Sequence, residues 1–426
     1  MTKSAPLRAT RSELAAVRRR LAYVLFSGAV LAWLAFVATL AVATVAARSL
    51  SGSTMMAGLP LAAGALGQAL GTNVLGRLST RYGRRFIMVA GPPVSACGAA
   101  LELIGVTAGW YWVLVGGAIL MGAGVGAIHL ARYVAAELAE DSERGKAMGL
   151  LVWSATIGSV IGASLVDWVG RLTQEWLGTP YGGAFLLATV AFSLSWVIFW
   201  VGLRPDPSKV AVISTARPEP GGTVGAALRL PTVQISILAL LSAQGAMVLV
   251  MTATPLRIED AGYGLDAVGL VLSIHAVGMF AFAPLVGKLV DRLGRLPMLG
   301  MGMCLTVVSL VLTGTAPYDG VFVLALGLFV LGLGWNCSFL ASSSMLFTSA
   351  PPGVRQVVEG WADSAAWTMV MLGSVASGVL MGSVGYSWLS LTAALPMLLI
   401  LALALAVPRL RTAITSLGTR PLDSSS

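Results

Sequence analysis

Long apolar runs, separated by short polar or Gly/Pro-bearing turns, make up most of the chain. Twelve of them reach the length needed to cross a hydrocarbon core of about 30 Å, which takes about 20 residues of helix. They cover 21–46, 53–76, 86–108, 111–134, 147–169, 182–203, 232–254, 267–289, 297–315, 320–344, 358–382 and 386–407. The fifth, eighth and eleventh are the least continuous, because Asp167, His275, Glu359 and Asp363 interrupt them. The pattern predicts an all-α membrane protein with 12 transmembrane helices in two six-helix bundles.

Composition agrees with the pattern. Only 11% of the 426 residues are charged, against roughly 25% in a soluble domain, and mean hydropathy is +0.86. That excludes a single water-soluble globule. The net charge of +9 would suit an anionic or nucleic-acid partner, but its placement says otherwise. Of the 27 Lys and Arg residues, all but Arg48, Arg171 and Arg257 lie in, or within a turn of, one set of alternating loops. This is the positive-inside asymmetry. It puts both termini in the cytoplasm, leaves no role for nucleic acid and implies a multi-pass protein of the cytoplasmic membrane. The dominance of Arg over Lys, with much Ala, Gly and Val, points to a bacterium with a G+C-rich genome. Arg18-Arg19-Arg20 ahead of the first run resembles a signal peptide, but the run is too long and leads directly into another, so an uncleaved helix is expected. Cys97, Cys304 and Cys337 all fall in apolar segments and imply no disulfide framework.

The longest break, 204–231, carries RPDPSK and RPEPGG turns and reads as a flexible cytoplasmic linker. It divides the chain into a tail at 1–20, a six-helix bundle at 21–203, a second at 232–407 and a tail at 408–426. A repeat supports the division: Gly76-Arg-Leu-Ser-Thr-Arg-Tyr-Gly-Arg-Arg85 recurs as Gly287-Lys-Leu-Val-Asp-Arg-Leu-Gly-Arg295, an offset of 211 residues that Arg144 and Arg355 share. Two parallel halves around a central cavity are expected.

This G-x-x-x-[D/T]-R-x-G-R motif, repeated on a 6 + 6 layout, resembles the signature of the major facilitator superfamily across nearly the whole chain. The resemblance implies a gating loop in each half, built from Gly76, Arg81, Gly83 and Arg84 in the first and Gly287, Asp291, Arg292, Gly294 and Arg295 in the second. Glycines there allow close packing and a tight turn. In the family the acidic residue helps to hold the cytoplasmic side closed. The second copy keeps it as Asp291, whereas the first has Thr80, which can cap a helix but brings no charge. Antiporters of the superfamily often carry a Gly-Pro pair in the fifth helix; Gly158 to Ala163 has no proline, which argues against drug antiport.

Polar residues inside spans are costly in lipid unless they meet a partner or a watery cavity. Of only two histidines, His275 lies mid-span in His275-Ala-Val-Gly-Met279, and the seventh span holds Met247-Val-Leu-Val-Met251. Helical spacing puts each pair on one face. Methionines so spaced are usually packing, but an H-x-x-x-M is rare by chance. The two pairs together resemble the CcoA-like copper importers, a major facilitator branch marked by M-x-x-x-M in the seventh helix and H-x-x-x-M in the eighth. That resemblance implies Met247, Met251, His275 and Met279 as copper ligands, consistent with soft thioethers and an imidazole for Cu(I). Cys304 and Cys337 are candidates for an inward relay, although a buried cysteine is more often a small hydrophobe.

Glu102, in span 3, is either a reversible proton site or a structural acid, and with His129 and Arg132 of span 4 it forms the set of coupling candidates. Arg132 resembles the superfamily's span 4 Arg, while its nearness to the interface also allows it to snorkel. Asp167 reads as interfacial. Gln68, Asn73, Gln244 and Asn336 are candidates to line the cavity or to join helices. Trp110, Tyr111, Trp112, Trp176 and Tyr181 read as an interfacial belt. No catalytic arrangement is present, so no enzyme and no cofactor are expected. The expected function is secondary transport by alternating access, with copper import favoured. The alternative is a proton-coupled carrier of a small organic solute, whether drug efflux or vitamin-type uptake; a non-transporting receptor is a third class. The partners expected are the bilayer and the substrate or metal ion, with the protein a monomer.

Overall fold

The computed structural model describes residues 11–179, 181–214, 223–263 and 265–399. Residues 1–10 of the first expected tail, the middle of the linker, the end of the twelfth run and the whole of the second expected tail lie outside the described residues. All regular elements among the described residues are helices. The first half contains α1 (Arg11–Ser51), α2 (Leu59–Tyr82), α3 (Arg84–Ala108), α4 (Tyr111–Leu138), α5 (Arg144–Leu177) and α6 (Gly182–Gly202). The second contains α7 (Pro231–Asp260), then α8 in three consecutive segments (Leu265–Ala276, a π-turn at Val277–Ala281, and Ala283–Leu293), α9 (Arg295–Thr315), α10 (Val321–Ser349) and α11 (Arg355–Thr392).

Among the described residues nine helices are long and apolar enough to cross a membrane, ten if the bent α8 counts as one span. The twelve sequence runs differ from this at two places. Helix α2 carries Gln68, Thr72, Asn73, Ser79 and Thr80, which dilute its hydropathy, and it is not among the nine. Runs eleven and twelve join in one helical stretch interrupted only at Gly385, whose φ of 77° departs from the helix. Several helices also extend past their apolar runs: α1 begins ten residues earlier than the first run, and α5 continues to Leu177.

Each half packs on itself, α4 against α2 and α3 in the first and α10 against α7 and α9 in the second. The halves meet mainly along two contacts, α2 with α11 and α5 with α8. Both run toward the face that carries the α2–α3, α4–α5, α8–α9 and α10–α11 junctions, here termed the linker face.

Small residues make these contacts possible, because without a hydrophobic force between helices in lipid the backbones must approach closely to gain dispersion energy. A Cβ on Gly360 would stand 2.7 Å from the Thr72 carbonyl oxygen and 2.9 Å from the Gly76 Cα. A Cβ on Gly149 would stand 2.2 Å from the Ala283 carbonyl oxygen and 3.3 Å from the Gly287 Cα. Gly149 and Gly360, Thr72 and Ala283, and Gly76 and Gly287 are all related by the 211-residue repeat, so one backbone contact is built twice. The turn glycines repeat as well, with φ of 84° at Gly83 and 91° at Gly294, where a side chain would be strained.

The linker is structured at its start, contrary to the expectation of flexibility there. Pro207–Ser214 is helical, and Asp206 just before it accepts hydrogen bonds from the backbone N of Arg85 (3.2 Å) and of Ser208 (2.9 Å). Its carboxylate caps the first turn of α3, where free amide groups favour an anion. In α8, Pro284 supplies no amide hydrogen, and the helix bends by 40° after the π-turn.

Candidate functional site

A cavity of about 230 Å³ lies between the halves, lined from both. Six aromatic side chains form much of its wall: Trp33 and Phe36 of α1, Phe280 of α8, Trp335 and Phe339 of α10, and Trp367 of α11. They touch in series. Trp335 stacks on Phe339 with centroids 4.5 Å apart and meets the edge of Phe280 at 6.0 Å, and Phe280 lies 6.0 Å from Trp33. His129 of α4 continues the series, 5.4 Å from Trp33 and 4.7 Å from Trp367. Offset and edge-on contacts of this kind suit the ring quadrupoles. Trp335 is further fixed by its indole N–H, which donates to the side-chain amide oxygen Oε1 of Gln244 of α7 at 2.8 Å.

The floor of the cavity is charged. Arg132 of α4 donates to both carboxylate oxygens of Asp363 of α11, at 3.0 and 2.5 Å, in a bidentate pair that crosses the halves. Its remaining N–H groups reach the Ser343 hydroxyl (3.0 Å), the Tyr133 hydroxyl (2.8 Å) and the His129 carbonyl (2.5 Å), so all five donors are used. The guanidinium also sits 4.4 Å from the Phe339 ring centroid. A buried charge is tolerated only with such partners. His129 is placed by a 3.0 Å hydrogen bond between its Nε2 and Gln68 of α2.

Closer to the linker face a second ionic layer joins the halves. Arg84, at the start of α3, donates to Glu137 Oε1 of α4 from Nε (3.0 Å) and Nη2 (2.6 Å), and Nη2 also donates to Glu359 Oε2 of α11 at 2.6 Å. Ser79 donates to Gln356 Oε1 at 2.8 Å on the same side. At the other contact Asp291, the acid of the second motif copy, accepts from the backbone N of Gly145 (2.7 Å) and Lys146 (2.8 Å) at the start of α5. Among the described residues, every hydrogen bond joining the halves lies between the cavity floor and the linker face. In this conformation the cavity is closed on that side.

The sequence-predicted residues divide accordingly. Of the four expected copper ligands, Met247 and Met279 line the cavity. Met251, one turn further along α7, does not, and buried His275 turns its Nδ1 to the Leu328 carbonyl oxygen at 2.7 Å. The spacing argument assumes a regular helix, whereas the π-turn begins at Val277, inside the H-x-x-x-M interval. Among the described residues no cluster of three or more His, Cys, Asp or Glu could hold a metal ion. Cys304 is exposed on α9 and Cys337 is buried in α10, and neither lines the cavity. Arg132 and His129 do line the cavity, and Arg132 is buried rather than snorkelling, because α4 continues to Leu138 and holds it below the surface. Glu102 is buried where α3 packs on α4 and lies away from the cavity, with Oε2 unpartnered. Of the gating-loop residues, Gly76, Gly287 and Asp291 join the halves, Arg84 anchors the ionic layer, Arg295 donates to Ser344 at 3.1 Å, and Arg292 is exposed. Arg81 lies over its neighbour Tyr82 at 5.3 Å. Trp110, Trp112 and Trp176 are more than half exposed, in keeping with a belt, and Asp167 pairs with Arg171 on an exposed turn. Gln244 lines the cavity, whereas Asn336 is wholly buried with both amide atoms unpartnered.

Sequence reasoning missed the Arg132–Asp363 pair and the aromatic wall. The signal was available in part: Trp33, Trp335 and Trp367 fall mid-span, away from either boundary where tryptophan is at home.

The model of the Major Facilitator Superfamily matches residues 24–267 and 235–422. The uncharacterized MFS-type transporter YdeG of Bacillus subtilis (strain 168) is 32% identical over 377 residues, covering 86% of this chain and 85% of its own. The riboflavin transporter RfnT of Brucella anthropi is 26% identical over 349 residues, covering 80% of this chain and 85% of its own. Among solved structures, the proton:xylose symporter XylE aligns with a TM-score of 0.74 at 18% identity, covering 92% of this chain and 95% of XylE.

Proposed function

The chain belongs to the Major Facilitator Superfamily, whose members are membrane transporters and not enzymes, and from that premise we propose that it is a proton-coupled secondary transporter of a small planar organic solute. The observation that carries this reading is the cavity wall: six aromatic rings from both halves surround a space of about 230 Å³ above one buried Arg–Asp pair. Rings of this kind grip a flat solute by stacking, and a few polar groups orient it. Trp335, held by Gln244 and stacked on Phe339, is the chief platform. The similarity to a riboflavin transporter makes flavins the first solutes to try.

The two halves rock about the cavity in alternating access. Twelve crossings follow if α2 is counted as a span and the chain turns back at Gly385. The arginine-rich linker face is then cytoplasmic, in a bacterial plasma membrane, with both termini on that side. The coupling site is Arg132 with Asp363, since the pair both joins the halves and forms the cavity floor; Glu102, away from the cavity, is a structural acid. Copper import is a second reading, carried by Met247 and Met279 alone, which bring two thioethers to one cavity.

Equilibrium binding separates the readings. Titration of purified protein with riboflavin, followed by quenching of flavin fluorescence, is expected to give saturable binding that Trp335→Ala weakens about tenfold and His275→Ala leaves unchanged. Saturable Cu(I) binding lost in Met247→Leu, with no flavin binding, would support the second reading instead.

A further inference from the structure

A second hollow, of about 610 Å³, opens at the linker face within the first half, between the start of α1, the end of α4 and the start of α5. Apart from Leu151, which lines both, its walls are distinct from those of the cavity between the halves. Its lining is divided by chemistry. Arg18, Arg19 and Lys146 stand at the rim, with Glu143 the only acid among the described lining residues, already bonded to Lys146 at 2.7 Å. Deeper along the spans the walls are apolar, from Phe26 and Trp153, whose ring centroids lie 6.2 Å apart, to Leu150. Tyr23, also on the wall, is 67% exposed, and the Nε of Arg18 is buried with no hydrogen-bond partner.

Cationic groups at the end of the spans, above an apolar cleft that continues along them, match one class of molecule in both parts: a headgroup phosphate for the rim and an acyl chain for the cleft. A free phosphate would leave the apolar wall unused, and a neutral lipid would leave the arginines uncompensated. We propose that this hollow is a binding site for an anionic phospholipid, whose phosphate is held by Arg18, Arg19 and Lys146 and whose acyl chain runs between Phe26, Leu150 and Trp153. The orphaned Nε of Arg18 is the donor that the phosphate satisfies. This inference concerns the bilayer and does not depend on the identity of the transported solute.

Full-length protein, stripped of lipid in detergent, is to be titrated with brominated phosphatidylglycerol and, separately, with brominated phosphatidylcholine. The readout is the part of the tryptophan quenching that Trp153→Phe removes. Affinity for phosphatidylglycerol is expected to be about tenfold above that for phosphatidylcholine, and Arg18→Gln with Arg19→Gln should bring the two together. Excess inorganic phosphate should compete only weakly, because it lacks the chain. Equal affinity for the two lipids in the parent protein would overturn the proposal, and that arm needs no variant to fold. So would unchanged selectivity in the double variant, or full displacement of the lipid by inorganic phosphate.

Discussion

The two contacts that close the linker face share a backbone and differ in their chemistry. In both, a glycine of one helix lies on the backbone of its partner, Gly360 on Thr72 and Gly76 in one and Gly149 on Ala283 and Gly287 in the other, at positions related by the repeat. The polar groups are not repeated. At the α5–α8 contact Asp291 caps the α5 start through two backbone amides. At the α2–α11 contact its counterpart Thr80 turns back to the Arg77 carbonyl at 2.7 Å, and a buried ionic layer of Arg84 with Glu137 and Glu359 joins the halves instead. Their counterparts show why that layer is not doubled: Arg295 faces Ser344, and Thr348 and Met148 occupy the positions equivalent to Glu137 and Glu359. Close approach is therefore the inherited part of the gate, and the charge that holds it closed is arranged separately on each side.

Five substitutions test that difference, in descending order of effect. Glu359→Ala removes the cross-half partner of a fully buried guanidinium, and breaking a buried pair costs about 3–5 kcal/mol. A large fall in melting temperature is expected, together with a longer linker-face distance between spin labels on the two halves. Gly149→Leu and Gly360→Leu should each cost about 1–3 kcal/mol of the closed state, because the opposing atoms are backbone and cannot move aside. The two are expected to match; markedly unequal spin-label distances would break the claim that the backbone contact is one device built twice. Asp291→Asn keeps the shape of the cap but loses its charge, and is expected to cost about 0.5–1 kcal/mol of the closed state, seen as faster modification of a linker-face cysteine. Thr80→Asp supplies the missing acid to the first contact and should slow that modification, corresponding to about 0.3–1 kcal/mol.

Much of this gate was legible in the sequence. The 211-residue repeat located Gly76, Gly83, Gly287 and Gly294, and these do what glycine alone can do there, two by lying on an opposing helix and two by taking positive φ. The apolar runs located most helices, α2 among them, although its buried Gln68, Thr72 and Ser79 dilute its hydropathy. The cavity was legible only in pieces. Arg132 was marked as functional, but its partner Asp363 lies 231 residues away, and choosing it requires knowing how α4 and α11 are rotated. The spacing of His275 and Met279 assumes an ideal helix, whereas the π-turn that begins between them and the Leu328 carbonyl decide where those two side chains point. Asp206 was read as part of a flexible segment because nothing local announces that it will cap α3.

The central claim, that the aromatic cavity carries an organic solute between halves latched at the linker face, is tested most directly by uptake into proteoliposomes under an imposed proton gradient. Riboflavin and Cu(I) are offered in parallel to the parent protein, Trp335→Ala, Asp363→Asn and His275→Ala. The account predicts gradient-driven riboflavin accumulation in the parent and in His275→Ala, a fall of about tenfold or more in Trp335→Ala, and exchange without accumulation in Asp363→Asn. Copper accumulation in the parent, with no flux of riboflavin, would contradict it.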